Sequence, residues 1–354
     1  MSASSRSGSR SGSPSAPPMA GVETWRFSAE PLLLRLDVAT HAFYQGLAAG
    51  SSDRKMMEVV ANAANVNVLT RPAGKKEFKK YNKPNEDETT RDVRLKYQLR
   101  ENNLRQAGTF DPQWGVRWLL SYVVLTEIPG ISAADAARLT DLVEQWLDAL
   151  AAAEIHEIAS ELPGMKATIA VARSELVCLR ELGDRLPGRF NCACSLLFGG
   201  ALRSTYVDAC LPRWVLSLRA RDGAASSGAQ QGIPEGCAPL TIADAQACVA
   251  GIVAPGAACT SSGAVDLRVK AIGAAADDSG LVQVRVRTFD RESDADKGAE
   301  DVVLRFEPDV AAELRVGFVI EATLYALDGG IHYIDNVTMV WPSYSVFYAE
   351  FAQA

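Results

Sequence analysis

The chain has 354 residues, 48% hydrophobic and 22% charged, which places it among globular proteins and outside the disordered, collagen-like and membrane-embedded classes. One large or two medium domains fit this length, with a sizeable core. The formal net charge is -7, so the molecule as a whole does not attract nucleic acid at long range, and any RNA contact has to be local.

Residues 1–18 are rich in serine with scattered Gly, Pro and Arg, and such a composition buries too little apolar surface to offset the entropy of ordering it. Residues 1–20 are therefore read as a disordered tail open to phosphorylation. The tail lacks the apolar run of a signal peptide, and no later segment offers about eighteen uninterrupted apolar residues for a membrane span. The seven cysteines form an odd set without evenly spaced pairs, as expected of reduced thiols in a cytosolic or nuclear protein.

From about Ser28, Leu32, Leu33, Leu36, Ala39 and Phe43 recur three and four apart and predict a helix, and Met56, Val59, Val60 and Ala63 predict a second. Arg71 to Arg105 is polar and charge-dense; its first half reads as a surface loop and the part after Thr90 as an exposed helix. A short apolar run, Trp114 to Val124, is stopped by Pro129-Gly130. Ser132, with Asp135 three residues on, predicts a helix start, and Leu139, Leu142, Val143, Trp146 and Leu150 form its apolar face. That face continues through Ile155, Ile158 and Leu162 to an expected stop at Pro163-Gly164, and a further helix is expected from about Lys166 to Asp184.

After Gly200 the period changes to two. Val265, Leu267 and Val269 alternate with Asp266, Arg268 and Lys270, and Val282, Val284 and Val286 alternate with Gln283, Arg285 and Arg287; the Asp277–Gly280 turn signal between them predicts a hairpin. Val302, Leu304 and Phe306 mark another strand, and Val316–Ala326 and Ile331–Trp341 form a second hairpin around Asp328-Gly-Gly330. The Gly-, Ala- and Ser-rich stretch near 220–236 reads as a flexible excursion. The fold class is therefore α+β, with a helical half over 21–200 and a mostly antiparallel β half over 201–354.

Catalytic chemistry has little to work with. Three histidines, His41, His156 and His332, are the available imidazole bases, and no Gly-x-Ser-x-Gly elbow is present. Cys192-x-Cys194 has the wrong spacing for a zinc pair, and phosphate-binding glycine motifs are missing, so no catalytic, cofactor or metal residues are expected. Two basic features remain as candidate RNA or partner contacts. Lys75, Lys76, Lys79 and Lys80 interleave with Phe78 and Tyr81, and Arg268, Lys270, Arg285 and Arg287 share one outward hairpin face if the register is simple. Both read equally as solvated faces or as contacts for an acidic protein.

The segment Leu186-Pro-Gly-Arg-Phe-Asn-Cys-Ala-Cys-Ser-Leu-Leu-Phe-Gly-Gly200 is the most distinctive in the chain. With the amphipathic stretch Ser174–Arg185 before it, it resembles the Argonaute-binding subunit of the fungal Argonaute siRNA chaperone complex, ARC. The closing hairpin, Gly317 to Tyr344, looks like that family's Glu-Ala-Thr strand, glycine turn and aromatic-Asp strand. The physical reading of the block is structural: Phe190, Leu196, Leu197 and Phe198 fill a seam between helical and β halves, and Pro187, Gly188, Gly199 and Gly200 set its entry and exit. Asn191 bonds neighbouring backbone, while Leu186 and Cys194 join the apolar set. The resemblance implies a non-catalytic subunit that binds Argonaute with a second ARC subunit. It further implies contact with small interfering RNA through Argonaute, restraint of slicing, and service to siRNA-directed heterochromatin formation in nucleus and cytoplasm, with no membrane contact. The residues leave two rivals open, a stand-alone RNA-binding module and an enzyme that uses Cys192 or Cys194.

Overall fold

A computed structural model of the chain describes residues 32–64, 112–127, 132–200, 240–298 and 300–347. The Ser-rich tail, the lysine stretch with the helix expected after Thr90, the Pro129-Gly130 stop and the excursion near 220–236 lie outside these residues. The helices are α1 (Leu32–Gly46), α2 (Ser52–Ala63), α3 (Pro112–Trp118), a π-helical turn (Leu119–Val123), α4 (Val124–Glu127), α5 (Ala133–Ala152), α6 (His156–Arg185), α7 (Arg189–Phe198), α8 (Ile242–Val249) and α9 (Pro308–Glu313). The strands are β1 (Cys259–Ala276), β2 (Val282–Asp290), β3 (Ala295–Asp296), β4 (Val302–Phe306), β5 (Val319–Leu327) and β6 (Ile331–Trp341). Helices before a β-rich end give the α+β class expected from the change of period.

Two compact units share the chain, Met1–Thr109 with Leu142–Leu162, and Phe110–Asp141 with Pro163–Ala354, and the division falls inside α5 and α6. In the first unit Leu32, Leu36, Ala39, Met57, Val60, Leu147, Leu150 and Ile155 are buried, matching the apolar spacing of α1, α2 and α5. Two polar contacts run through this core. The Trp146 indole N–H donates to the Thr40 hydroxyl at 3.0 Å, and the Arg35 guanidinium meets both Glu157 oxygens at 2.7 and 3.1 Å.

One expectation fails between α5 and α6. The helix starting at Ser132 does not run to Pro163; it stops at Ala152, where Glu154 takes a left-handed φ of 58°. The Ala153, Glu154 and Ile155 amides fold back onto Ala149, Ala151 and Leu150 carbonyls, which closes the last turn and keeps Ile155 fully buried. Pro163 then lies inside α6. It is tolerated there because Pro163 and Ala159, whose carbonyl it leaves without an intrahelical donor, are both exposed. The Ser132 start holds, with the Asp135 amide donating to the Ser132 hydroxyl at 3.0 Å.

In the second unit β1 is the spine. Its later half pairs with β2 (Arg268↔Arg287, Ile272↔Val284) and its first half with β5 (Cys259↔Leu327, Val265↔Ala322), all antiparallel. Register shifts after Ser261, Val269 and Ile272 bend it enough to serve two neighbours. β4 joins β2 (Val284↔Leu304) and β6 joins β5 (Leu324↔Ile334), while β3 adds a short pair at the far end of β2. The order is β4-β2-β1-β5-β6, and the two outer strands, β4 and β6, come close to each other. Inside this curl lie Leu267, Val269, Val284, Val286, Leu304, Phe306, Ile320, Leu324 and Ile334, the inward set that the two-residue period predicts.

After β6 the chain folds back onto helices. Ser343 donates its amide and hydroxyl to the Glu175 carboxylate at 2.8 and 2.6 Å, Arg117 donates to the Tyr344 carbonyl at 2.8 Å, and the Tyr344 hydroxyl donates to the Leu120 carbonyl at 3.1 Å. Trp114, Trp118 and Tyr122, four residues apart, stack in turn, and Tyr122 stacks on Trp341 with centroids 6.0 Å apart. The short apolar run seen in the sequence is thus a helical face that reads against β6.

Replacing Thr40 by valine keeps the shape and removes the acceptor of a buried indole N–H. We expect Thr40→Val to destabilise the first unit by about 1 to 3 kcal/mol in urea unfolding. A change within the error of the measurement would mean the N–H finds another partner.

Candidate functional site

The Leu186–Gly200 block sits where β4 and β6 fail to pair. After a cis Leu186–Pro187 peptide, Gly188 takes a φ of 87° and leads into α7 without a side-chain cap of its own. The cap comes from the sheet: the Phe190 amide donates to Glu307 Oε1 at 2.6 Å. A Cβ on residue 188 would stand 2.6 Å from Glu307 Oε2, so glycine is needed for both backbone angle and space. Burial pushes the Glu307 carboxyl above its usual range, and the backbone amides that donate to it hold back part of that rise.

One turn further on, Asn191 is fully buried and its amide does the work of a missing strand. Its Nδ2 donates to the Arg305 carbonyl on β4 at 2.9 Å, and its Oδ1 accepts from the Ile334 amide on β6 at 3.1 Å. Asparagine suits this position because its short planar amide offers a donor and an acceptor together. Ser195, another turn along, donates to Asp335 Oδ2 at 2.7 Å, and the Tyr333 hydroxyl donates to the Gly199 carbonyl. At Gly200, φ is 152° and an added Cβ would overlap both the Asp335 carboxylate and the Ser195 hydroxyl.

Around these bonds lies an apolar cluster of Phe190, Cys192, Ala193, Cys194, Leu240, Ala245, Val249, Val253, Leu281, Leu327 and Tyr333. Helix α8 contributes Ala245 and Val249, with Cys248 packed against them, and no apolar period in the sequence announces it, although Thr241 and Asp244 form a reciprocal capping box at its start. Leu196, Leu197 and Phe198 pack on the cluster while half-exposed, so the fully buried ring of the seam is Phe190 and not Phe198.

Cys192 and Cys194 are buried, and burial pushes the Cys194 thiol far above its usual range, the opposite of what a nucleophilic thiolate needs. The rival reading of a thiol enzyme required one of them exposed. No group of three or more His, Cys, Asp or Glu able to hold a metal occurs among the described residues.

The second candidate set divides. Lys75, Lys76, Lys79 and Lys80 lie outside the described residues. On the hairpin, Arg268 faces Arg287 and Ala271 faces Arg285, with Lys270 at the bulge between. Arg268 is paired with Asp294, Lys270 with Asp296 and Arg287 with Asp301, each at 2.7 Å, whereas among the described residues no ion pair engages Arg285. Arg305, opposite Gln283 on β4, extends this face and was missed because its strand reads as apolar in the sequence.

The two stretches that carried the family resemblance therefore touch: Asn191, Ser195 and Gly199 of the block meet Ile334, Asp335 and Tyr333 of the closing hairpin. Residues 118–254 match the family model described as Argonaute siRNA chaperone (ARC) complex subunit Arb1. The match covers less than half of the chain. It contains α7 and α8, and the hairpin that holds α7 lies beyond it. Searches of curated proteins and of solved structures give no match to the chain.

Two substitutions test the seat of the Leu186–Gly200 block. Asn191→Leu leaves the Arg305 carbonyl and the Ile334 amide buried without partners, at roughly 1 to 3 kcal/mol each, and should lower the unfolding midpoint sharply. Gly200→Ala should destabilise as well, since neither Asp335 nor Ser195 can withdraw without breaking their bond. Glu307 tests the pH dependence. Its carboxyl is raised in the folded state, so its contribution is present below the unfolded value and is lost as pH rises through the folded one. The stability of the natural chain relative to Glu307→Gln should accordingly fall as pH rises from the ordinary carboxylate range through the raised folded value; a rising difference would contradict a raised carboxyl.

Proposed function

We propose that this protein is a non-catalytic subunit of an Argonaute siRNA chaperone complex, which binds Argonaute together with a second ARC subunit, holds it with duplex siRNA and restrains its slicing. The observation that carries this reading is the Arb1 match over 118–254, which contains the block whose geometry is described above. The block's chemistry supports a scaffold: Asn191, Ser195 and the α7 amides are spent on holding β4 and β6, and Cys194 is kept protonated by burial. The half-exposed apolar rim of Leu196, Leu197 and Phe198 is then a surface fixed in place by those bonds. In this reading siRNA is reached through Argonaute, the process served is siRNA-directed heterochromatin formation, and the protein works in nucleus and cytoplasm of a fungal cell.

Affinity purification from fungal cells should recover Argonaute and small RNAs of duplex form, and adding the purified subunit to a loaded Argonaute should slow target cleavage. Recovery of neither Argonaute nor small RNA, together with a hydrolytic activity in the pure protein, would replace this reading with an enzymatic one.

A further inference from the structure

Five of the strands make a barrel of definite order. Taken along the chain as first to fifth, β1, β2, β4, β5 and β6 lie in the order third, second, first, fourth, fifth, with α9 between the third and fourth and the third brought near the fifth. The pairings make all neighbours antiparallel except that closing approach, where β4 and β6 run the same way. This is the order of the oligonucleotide/oligosaccharide-binding barrel, in which ligands lie across the second and third strands, between the loops that follow the first and fourth. Fold alone does not assign function, so the face itself has to carry the case.

In this chain the second and third strands are β2 and β4. Their inward residues, Val284, Val286, Leu304 and Phe306, are buried, and the alternate positions Gln283, Arg285, Arg287, Val303 and Arg305 face out. Gln283 stands opposite Arg305 and Arg285 opposite Val303, so the two arginines lie on adjacent strands two positions apart. Arg268 and Lys270 of β1 continue the face. Asp294, Asp296 and Asp301 occupy Arg268, Lys270 and Arg287, but Arg285 and Arg305 take part in no ion pair or side-chain hydrogen bond among the described residues. The cations without a counter-charge therefore fall on the two strands that form the ligand face of this barrel.

We propose that the β2–β4 face binds a single strand of RNA through its phosphates, with Arg285 and Arg305 as the principal contacts. A guanidinium matches two phosphate oxygens with a planar fork, which suits both residues to backbone recognition. The one aromatic ring on the outward face of β2, Phe289, is buried beneath the Arg268 guanidinium, 3.8 Å from its centroid, so no ring is offered to the bases and the binding is blind to sequence. With a net charge of -7 there is no long-range steering, and the association is weak and lost at high salt. The choice of RNA as the polyanion rests on the Argonaute reading; the recognition of phosphate does not.

The test is fluorescence anisotropy of a labelled single-stranded RNA of about twelve nucleotides, titrated with the full chain free of Argonaute over a range of salt. Log affinity should fall linearly with log salt, and Arg285→Ala and Arg305→Ala should each flatten the slope by about 0.7, the double variant by about 1.4. Arg285→Lys should restore the slope of the natural chain. Circular dichroism melts establish that the variants fold; if Arg305→Ala does not, Arg285→Ala with its lysine counterpart decides alone. Absence of binding at low salt, or the same slope in natural chain and variants, overturns the proposal. So does a double variant that binds RNA normally and no longer recovers Argonaute, since the face would then be a protein interface. RNA binding that follows the predicted slopes in a protein that never recovers Argonaute would sink the ARC reading and leave this one standing.

Discussion

The amide of Asn191 holds the second unit together. A curled sheet whose outer strands approach without pairing leaves backbone donors and acceptors facing a gap, and each such group costs free energy if it is buried alone. One side chain answers both edges, accepting from Ile334 on β6 and donating to Arg305 on β4. Everything nearby follows from keeping that side chain in register. Glu307 fixes the first turn of α7, Ser195 and Asp335 fix the second, and Phe190 fills the space beneath.

This arrangement accounts for the odd composition of the Leu186–Gly200 block. Charged residues are scarce in it because it enters a barrel seam, and small ones abound because α7 lies between sheet edges and α8. Gly188 and Gly200 stand against carboxylates of the sheet, at Glu307 and Asp335. The hairpin residues Tyr333 and Asp335 have the block as their partner, so a change on one side has to be matched on the other.

The period of apolar residues was enough to place α1, α2, β2, β4 and both hairpins, since each turns a continuous face to one core. It misled at Pro163, because exposure decides whether a helix tolerates proline and exposure is a tertiary property. It also placed Phe198 in the seam, where only position along α7 distinguishes it from Phe190. The role of Asn191 was legible as a bond to backbone, but its two partners lie 114 and 143 residues away and nothing local announces them. The basic hairpin was visible as a pattern, whereas the carboxylates that occupy three of its four cations sit in β3 and the loops around it and could not be matched to them by spacing.

The π-turn and its flanking helices carry a consequence for how the chain is made. Trp118, Tyr122 and Arg117 find their partners in Trp341 and Tyr344, and the Arg117–Tyr344 bond spans 227 positions of sequence. On a ribosome that adds about 5 to 20 residues per second, this aromatic face waits ten seconds or more for the strand that completes it. The first unit has all its segments by residue 162 and can settle early. Nascent chains of this protein thus pass through a stage in which the first unit is complete in sequence while the aromatic stripe of the second still lacks its partner strand.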